Sequence, residues 1–527
     1  MSITSLVFLS FILITCFLYY LVPKKWQWVV LLVSSLFFYV YSSSWAIGFV
    51  LITSGIIYGA TKWIDALRKK QTSFLQSNKA LSREEKKIYK DKNKRTRKWV
   101  MLSALLLNVG ILCVFKYAHF LIDQINALLT ACGGTTIDNS FSLIAVLGIS
   151  FYTFQSTGYL IDVYWDTVPV QHNYFKTLLF ISFFPQVTQG PISDYGQLGP
   201  QLYSEHTFDS TRFARGAYRI VWGLFKKMVI ADCFAVFVND AFANYPSYSG
   251  IACLCAAFGY SVQIYADFSG YMDIMCGCCD LFGITLTENF ERPYFSKSIA
   301  EYWRRWHISL GDWFKKYIYY PIGVSKWNRN IGKFAQARFG KHIGQTLPAS
   351  IALVIVWLTT GLWHGASWAY IVWGGVNGLF IIFSFWMEPV YARINSSLHI
   401  NESNVWWKAF QVIRTFILVT FIKVLPEVGT LKDGFGFISR IFTEHTLPTS
   451  FADLLPGVSD KLNFLAAMFG VVCLLIVSLI QRRKPIREQF LKFPVIIRIS
   501  TMCVLILMIL VFGVANDGTG GFMYAQF

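Results

Sequence analysis

At 527 residues, with 55% hydrophobic and 17% aromatic residues and a mean hydropathy of +0.46, the chain is far more apolar than a soluble domain of its size, and composition alone makes it a polytopic membrane protein. The formal charge of +18 does not indicate nucleic acid, because the basic residues sit between apolar runs, the pattern of cytoplasmic retention and contact with anionic membrane lipids. Eleven cysteines without paired spacing exclude a secreted disulfide framework, and the tightest group, Cys276, Cys278 and Cys279, lacks the partners a metal site needs, so no metal is expected.

In chain order, apolar runs fall at Ile3–Leu21, Trp28–Tyr41 and Ala46–Ala60, each near the ~20 residues that cross hydrocarbon. The first has no basic leader and no small-residue cleavage site, so it is expected to be retained as a span. The segment Lys62–Lys98 carries Arg68, Lys69, Lys70, Lys86, Lys87, Arg95, Arg97 and Lys98 among others. It is expected to be a solvated, helical element on the inner leaflet that fixes topology and places the N-terminus outside. Further runs occupy Trp99–Leu129, Phe141–Val163, Phe175–Val187, Ala217–Phe242, Ile251–Phe282, Ile351–Leu362, Ser367–Met387, Trp406–Val424, Leu462–Ile480 and Val495–Val514. The linker Gln481–Arg487, with Arg482, Arg483, Lys484 and Arg487, is placed inside. The expected fold is all-α, a polytopic membrane protein of about 11–13 transmembrane or re-entrant helices.

Two polar segments interrupt this pattern. Phe183–Gln201 contains Pro185 and two Gly-Pro steps that forbid a continuous helix, and such broken backbone is tolerated at membrane depth only where protein buries it or a cavity exposes it. Asn289–Gly323 opens a helix with Ser298 as N-cap and Glu301 three residues on. Trp303, Trp306, Leu310, Trp313 and Tyr317 then recur at helical spacing with Arg304, Arg305, Lys315 and Lys316 off the stripe, which predicts a basic amphipathic helix at the interface. Within the run ending at Phe282, Asp267 and Asp273 are costly unless paired or wet; Arg304, Arg305 or amides near Gly270 are the expected partners, with a helix break at Ser269-Gly270.

The stretch Thr359–Asn377, TTGLWHGASWAYIVWGGVN, sets His364 at a glycine-bounded break between two uncharged apolar runs. An ionisable residue there is a functional-site hypothesis by default, although a histidine that merely bonds neighbouring helices is the plainer alternative. No P-loop, dinucleotide fingerprint, HExxH or GxSxG element occurs. Acyl transfer to a hydroxyl needs a base with a pKa near the working pH, and desolvation keeps a buried histidine neutral and able to serve. Trp363, Trp368 or Asn377 are candidate donors to the tetrahedral intermediate. The cluster Arg304, Arg305, Lys315 and Lys316 is a candidate holder of donor phosphates, with Trp306 beside it.

The motifs GISFYTFQSTGYLIDVY, FFPQVTQGPI, GLFKKMVIAD, YADFSGYMD, ENFERPYFSKSIAEYWRRWHISLGDWFKKYIYYPIG, GLWHGASWAYIVWGGVNG and the terminal FMYAQF together resemble the membrane-bound O-acyltransferase (MBOAT) superfamily, in its bacterial alginate O-acetyltransferase branch. That resemblance implies a ring of helices around a thinned centre, His364 as catalytic histidine and His307 as second signature histidine. It also implies acetyl-CoA as cytoplasmic donor, a bacterial plasma membrane location, and an acceptor that is either an extracytoplasmic polysaccharide or a separate SGNH-type acetyltransferase. Gln186 stands where some relatives have a histidine after FFP. The expected division is 1–147 for N-terminal spans, 148–387 for the catalytic core and 388–527 for C-terminal spans. A D-alanyl transfer protein for teichoic acids, fed by a carrier protein, is the nearest rival. A transporter or channel is the rival from another class.

Overall fold

The computed structural model describes residues 1–141, 143, 146–458, 460–482 and 486–514; the FMYAQF motif, Arg483 and Lys484 lie outside the described residues. Among those described there is no β-strand, only one isolated bridge between Phe290 and Trp306. Among the described residues eight helical stretches are long and apolar enough to cross a membrane, and Leu6–Leu21 is a shorter apolar helix. The chain is thus an all-α, multi-pass membrane protein. Two compact units are present, one of Met1–Phe213 with Cys278–Thr287, the other of Ala214–Gly277 with Glu288–Phe527.

The first unit contains α1 (Leu6–Leu21), α2 (Gln27–Ser43), α3 (Ile47–Ser77), α4 (Arg83–Ala131), α5 (Ile149–Trp165) and α6 (Tyr174–Ser182). The basic segment after the third apolar run is almost wholly helical, because α3 continues to Ser77 and α4 starts at Arg83. Ser82 starts α4 through a capping box: its hydroxyl accepts from the Glu85 N–H at 3.2 Å, and the Glu85 carboxylate accepts from the Ser82 N–H at 2.8 Å, which satisfies two orphan donors of the first turn. Asn93 donates to the Leu67 carbonyl at 2.9 Å, and the rings of Phe74 and Tyr89 stack at 4.0 Å. A 49-residue α4 at ~1.5 Å per residue far exceeds the ~30 Å hydrocarbon core, so this charged hairpin extends beyond it. In the Pro-rich break, buried Gln186 donates to the Pro191 carbonyl at 2.7 Å and accepts from Gln155 at 3.0 Å. It thereby satisfies backbone that the broken helix leaves without a ladder partner.

The second unit is built on α7 (Ser210–Phe225) from Ala214 onward, α8 (Asp232–Ala243), α9 (Gly250–Leu281) as far as Gly277, α10 (Ile299–Arg305), α11 (Ile308–Phe314), α12 (Lys326–Phe339), α13 (Lys341–His364), α14 (Trp368–Trp386), α15 (Val405–Val424), α16 (Lys461–Ile480) and α17 (Val495–Phe512). The break expected at Ser269-Gly270 does not occur, since α9 runs unbroken. Glycine serves close approach there instead: a Cβ on Gly223 would lie 2.6 Å from the Gly270 carbonyl oxygen, and one on Gly277 2.7 Å from that of Gly216. Small residues spaced by seven on α7 and α9 therefore let the two backbones touch, the packing that small residues allow between membrane helices.

A wider turn, Lys226–Ala231, joins α7 to α8 with π-helical hydrogen bonding and turns two consecutive lysines inward. Lys226 pairs with Asp273 at 2.7 Å, and Lys227 with Asp267 at 2.6 Å and Asp232 at 2.8 Å. Arg219 and Arg487 complete the shell of Asp273, at 2.8 and 2.7 Å. These partners replace the expected Arg304 and Arg305, because the cations that pair with Asp267 and Asp273 come from α7, its π-turn and Arg487.

Candidate active site

The expected amphipathic helix across Asn289–Gly323 is in fact broken at Trp306-His307 into α10 and a second helical piece that starts with α11 and runs on through a π-helical turn, Lys315–Tyr319, to Gly323. His307 adopts φ +49°, a left-handed conformation that costs an L residue roughly 1–2 kcal/mol. Neighbouring backbone holds it there: Glu291 N–H donates to the Arg305 carbonyl at 3.0 Å, and Ile308 N–H to that of Asn289 at 3.1 Å. Non-glycine strain of this kind clusters at functional sites. The turn buries both Trp306 and His307, so Trp306 is an interior residue rather than an interfacial one. The His307 ring meets Phe268 of α9 edge-on at 4.8 Å.

His364 is the last residue of α13. Its Nδ1 lies 2.8 Å from the Thr360 carbonyl oxygen. A carbonyl can only accept, so Nδ1 carries the proton and Nε2 is the basic nitrogen. The α13–α14 hairpin closes tightly behind it, since a Cβ on Gly374 would stand 2.9 Å from the Gly361 Cα and 2.4 Å from the Trp357 carbonyl oxygen. Ser367 caps α14 by accepting from the Tyr370 N–H. Ring centroids of His364 lie 4.9 Å from Trp363 and 4.8 Å from Trp373, and His307 lies 6.2 Å from the same Trp363. Both histidines are buried, and burial first, then the neighbouring His364, holds His307 well below its ordinary pKa. It is therefore neutral at physiological pH.

His364 opens on a chamber of about 20 Å³, lined also by Trp303, Trp306, Trp373, Lys423 and Glu427, little more than the space of one water. Asn377 orients one wall: its side-chain oxygen accepts from the Trp303 indole N–H at 3.0 Å and its amide donates to the Trp373 carbonyl at 2.8 Å. The structure thus brings His364, His307, Trp306 and Asn377 together. Among the described residues Arg304, Arg305, Lys315 and Lys316 do not line this chamber. Arg305 pairs with Glu301 at 2.6 Å, Arg304 and Lys315 are exposed, and Lys316 lies 4.9 Å from the Tyr317 ring.

Lys423 and Glu427 were missed by the sequence reading. The Lys423 ammonium sits 3.6 Å from the Trp306 ring centroid and donates to the Tyr294 hydroxyl at 2.9 Å, and the Tyr370 hydroxyl donates to Glu427 at 3.1 Å. Four-residue spacing in an apolar context was the available signal. Burial raises the Glu427 carboxyl from 4.5 to about 7, against the opposing pull of Tyr260, Tyr370 and Lys423. A carboxyl shifted upward lowers stability as pH rises from its unfolded value, near 4.5, through about 7. Glu427→Gln is therefore expected to gain on wild type by on the order of 2–3 kcal/mol between pH 5 and pH 8. Thermal unfolding in detergent at the two pH values measures this, and a gap that does not change with pH contradicts it.

Among the described residues no cluster of three or more His, Cys, Asp or Glu side chains gathers to hold a metal. The MBOAT, membrane-bound O-acyltransferase family, matches residues 167–422. The probable alginate O-acetylase AlgI of Pseudomonas aeruginosa is 33% identical over 81% of this chain and 72% of its own. The chain belongs to the membrane-bound O-acyltransferase family. The peptidoglycan O-acetyltransferase of Helicobacter pylori is 30% identical over 85% of this chain and 80% of its own. The teichoic acid D-alanyltransferase of Streptococcus thermophilus is 27% identical over 56% and 72%. The chain is accordingly an O-acyltransferase, which sets aside the transporter or channel alternative.

Proposed function

We propose that the chain moves acetyl groups from a cytoplasmic thioester, acetyl-CoA, to an extracytoplasmic polysaccharide, directly or through a separate SGNH-type acetyltransferase. The observation that carries the chemistry is the His364 ring, tied through Nδ1 to Thr360 and facing a small, tryptophan-walled chamber beside His307. Nε2 of His364 takes the proton of the attacking hydroxyl as the acyl C–O bond forms. The C–S bond then breaks, and the same proton passes to the departing thiolate. His307, neutral and within reach of the same indole, orients the thioester or its leaving group. Asn377, with both ends of its amide engaged by Trp303 and Trp373, acts by holding the chamber wall. Arg304 and Lys315, both exposed, remain candidates for donor phosphates at the protein surface.

Acetyl is favoured over D-alanyl because relatives named for acetylation match this chain over 81% and 85% of its length and the D-alanyl relative over 56%. The test uses inside-out membrane vesicles containing the full chain, supplied either with acetyl-labelled coenzyme A or with a D-alanyl carrier protein. Alkali-labile label in the lumenal polysaccharide fraction is expected from the first alone. Label from the carrier protein alone would move the chain to the D-alanyl reading.

A further inference from the structure

The chamber beside His364 holds a cation that the reaction above leaves without a task. Lys423 lies in the last turn of α15, and an ammonium in an apolar span is costly and a functional-site hypothesis by default. Its surroundings hold the charge in place rather than cancel it. Tyr294 gives its hydroxyl proton to the Ser261 carbonyl at 2.6 Å and so accepts from Lys423, at 2.9 Å. The ring centroids of Trp306, Tyr294 and Tyr302 lie 3.6, 4.9 and 5.2 Å from the same nitrogen, an arrangement in which aromatic faces favour a cation. Among the described residues Lys423 forms no direct ion pair. Glu427, on the wall of the same chamber, takes the Tyr370 hydroxyl at 3.1 Å instead.

Acyl transfer needs a donor aimed at the oxygen on which charge develops. The Asn377 amide already donates to the Trp373 carbonyl at 2.8 Å, and the Trp303 indole to Asn377 at 3.0 Å. Lys423 has three N–H groups with one on Tyr294, and it lines the chamber of about 20 Å³ together with His364. That space fits a carbonyl oxygen and not the body of donor or acceptor. We propose that Lys423 is a further catalytic residue, the cation that stabilises the oxyanion of the tetrahedral intermediate. This rests on the acyl-transfer reading above. As the hydroxyl oxygen bonds to the thioester carbonyl carbon, the C=O π pair moves onto the oxygen and is held by a Lys423 N–H, while the hydroxyl proton goes to Nε2 of His364. When that pair returns, the C–S bond breaks and His364 passes its proton to the thiolate; Lys423 keeps its protons throughout.

The test measures kcat and KM for thioester consumption by the purified full chain in detergent, supplied with acetyl-coenzyme A or with a D-alanyl carrier protein. Wild type is compared with Lys423→Met, Lys423→Gln, Lys423→Arg and His364→Ala, each checked by thermal unfolding. Lys423→Met is expected to lose about 10²–10³-fold in kcat with KM within about threefold, because the contact is made only in the transition state. Lys423→Arg, which keeps the charge and cannot act as a base, is expected to retain a kcat about tenfold or more above that of Lys423→Met. Lys423→Gln, a donor without charge, is expected to fall between them; if arginine disrupts the fold, the order of Gln above Met still decides. Equal kcat in folded Met, Gln and Arg variants overturns the proposal, since a packing role does not follow charge. Loss in His364→Ala beside wild-type kcat in Lys423→Met overturns it and leaves the acyl-transfer reading intact. Wild-type kcat in both overturns that reading as well.

Discussion

Cells whose single copy carries His364→Ala are expected to lose polysaccharide acetylation almost entirely, a fall of about 10³-fold in transfer rate with the protein still folded and inserted. The size follows from the proposed role of His364, since removing a positioned general base typically costs 10²–10⁴-fold. Activity should not return with His364→Gln, which offers an amide of similar reach and no basic nitrogen. Stability should change little. The Nδ1 hydrogen bond of the ring is to the carbonyl four residues back in its own helix, worth ~1 kcal/mol, and the glycine contacts that close the α13–α14 hairpin stay in place. Ester content of the polysaccharide, measured by alkaline release beside the membrane level of the variant, reads both outcomes. Normal ester content in a well-expressed variant would remove His364 from the chemistry.

Asp273→Ala is expected to have the largest effect on folding. Asp273 is the shared acceptor of Arg219, Lys226 and Arg487, and its loss leaves three cations crowded in a buried site, with Glu288 the remaining acid that pairs with two of them. Removing one partner of a buried ion pair typically costs ~3–5 kcal/mol. Asp267→Ala should cost clearly less, because Lys227 keeps Asp232 at 2.8 Å. Thermal unfolding of both variants in detergent checks the ordering, and equal losses would show that the α7 to α9 network does not concentrate on Asp273.

Much of this architecture was legible in the residues. The apolar runs announced a multi-pass helical protein, because a run of hydrophobic residues of bilayer length has few other uses. His364 stands out because its flanks, Ile351–Leu358 and Trp368–Met387, hold no Asp, Glu, Lys or Arg. His307 was harder: a stripe of Trp303, Trp306, Leu310, Trp313 and Tyr317 at helical spacing describes one continuous helix, and nothing local reveals that the strand-like bridge between Phe290 and Trp306 forces a left-handed turn there. The partners of Asp267 and Asp273 were unreadable for a related reason. They depend on a π-turn that points Lys226 and Lys227 inward together, which regular α-helical spacing does not describe. Lys423 and Glu427 sit at the end of an ordinary-looking span, and only packing brings them to the chamber of His364.

That the two histidines form one site is most directly tested by a double-mutant cycle on thioester consumption by the purified chain, comparing wild type, His307→Ala, His364→Ala and the double variant. Residues acting as a unit lose activity non-additively. The double variant is therefore expected to retain the residual rate of His364→Ala. A further drop by the full factor seen in His307→Ala alone would mean that the two rings act independently, and would contradict a shared acyl-transfer centre.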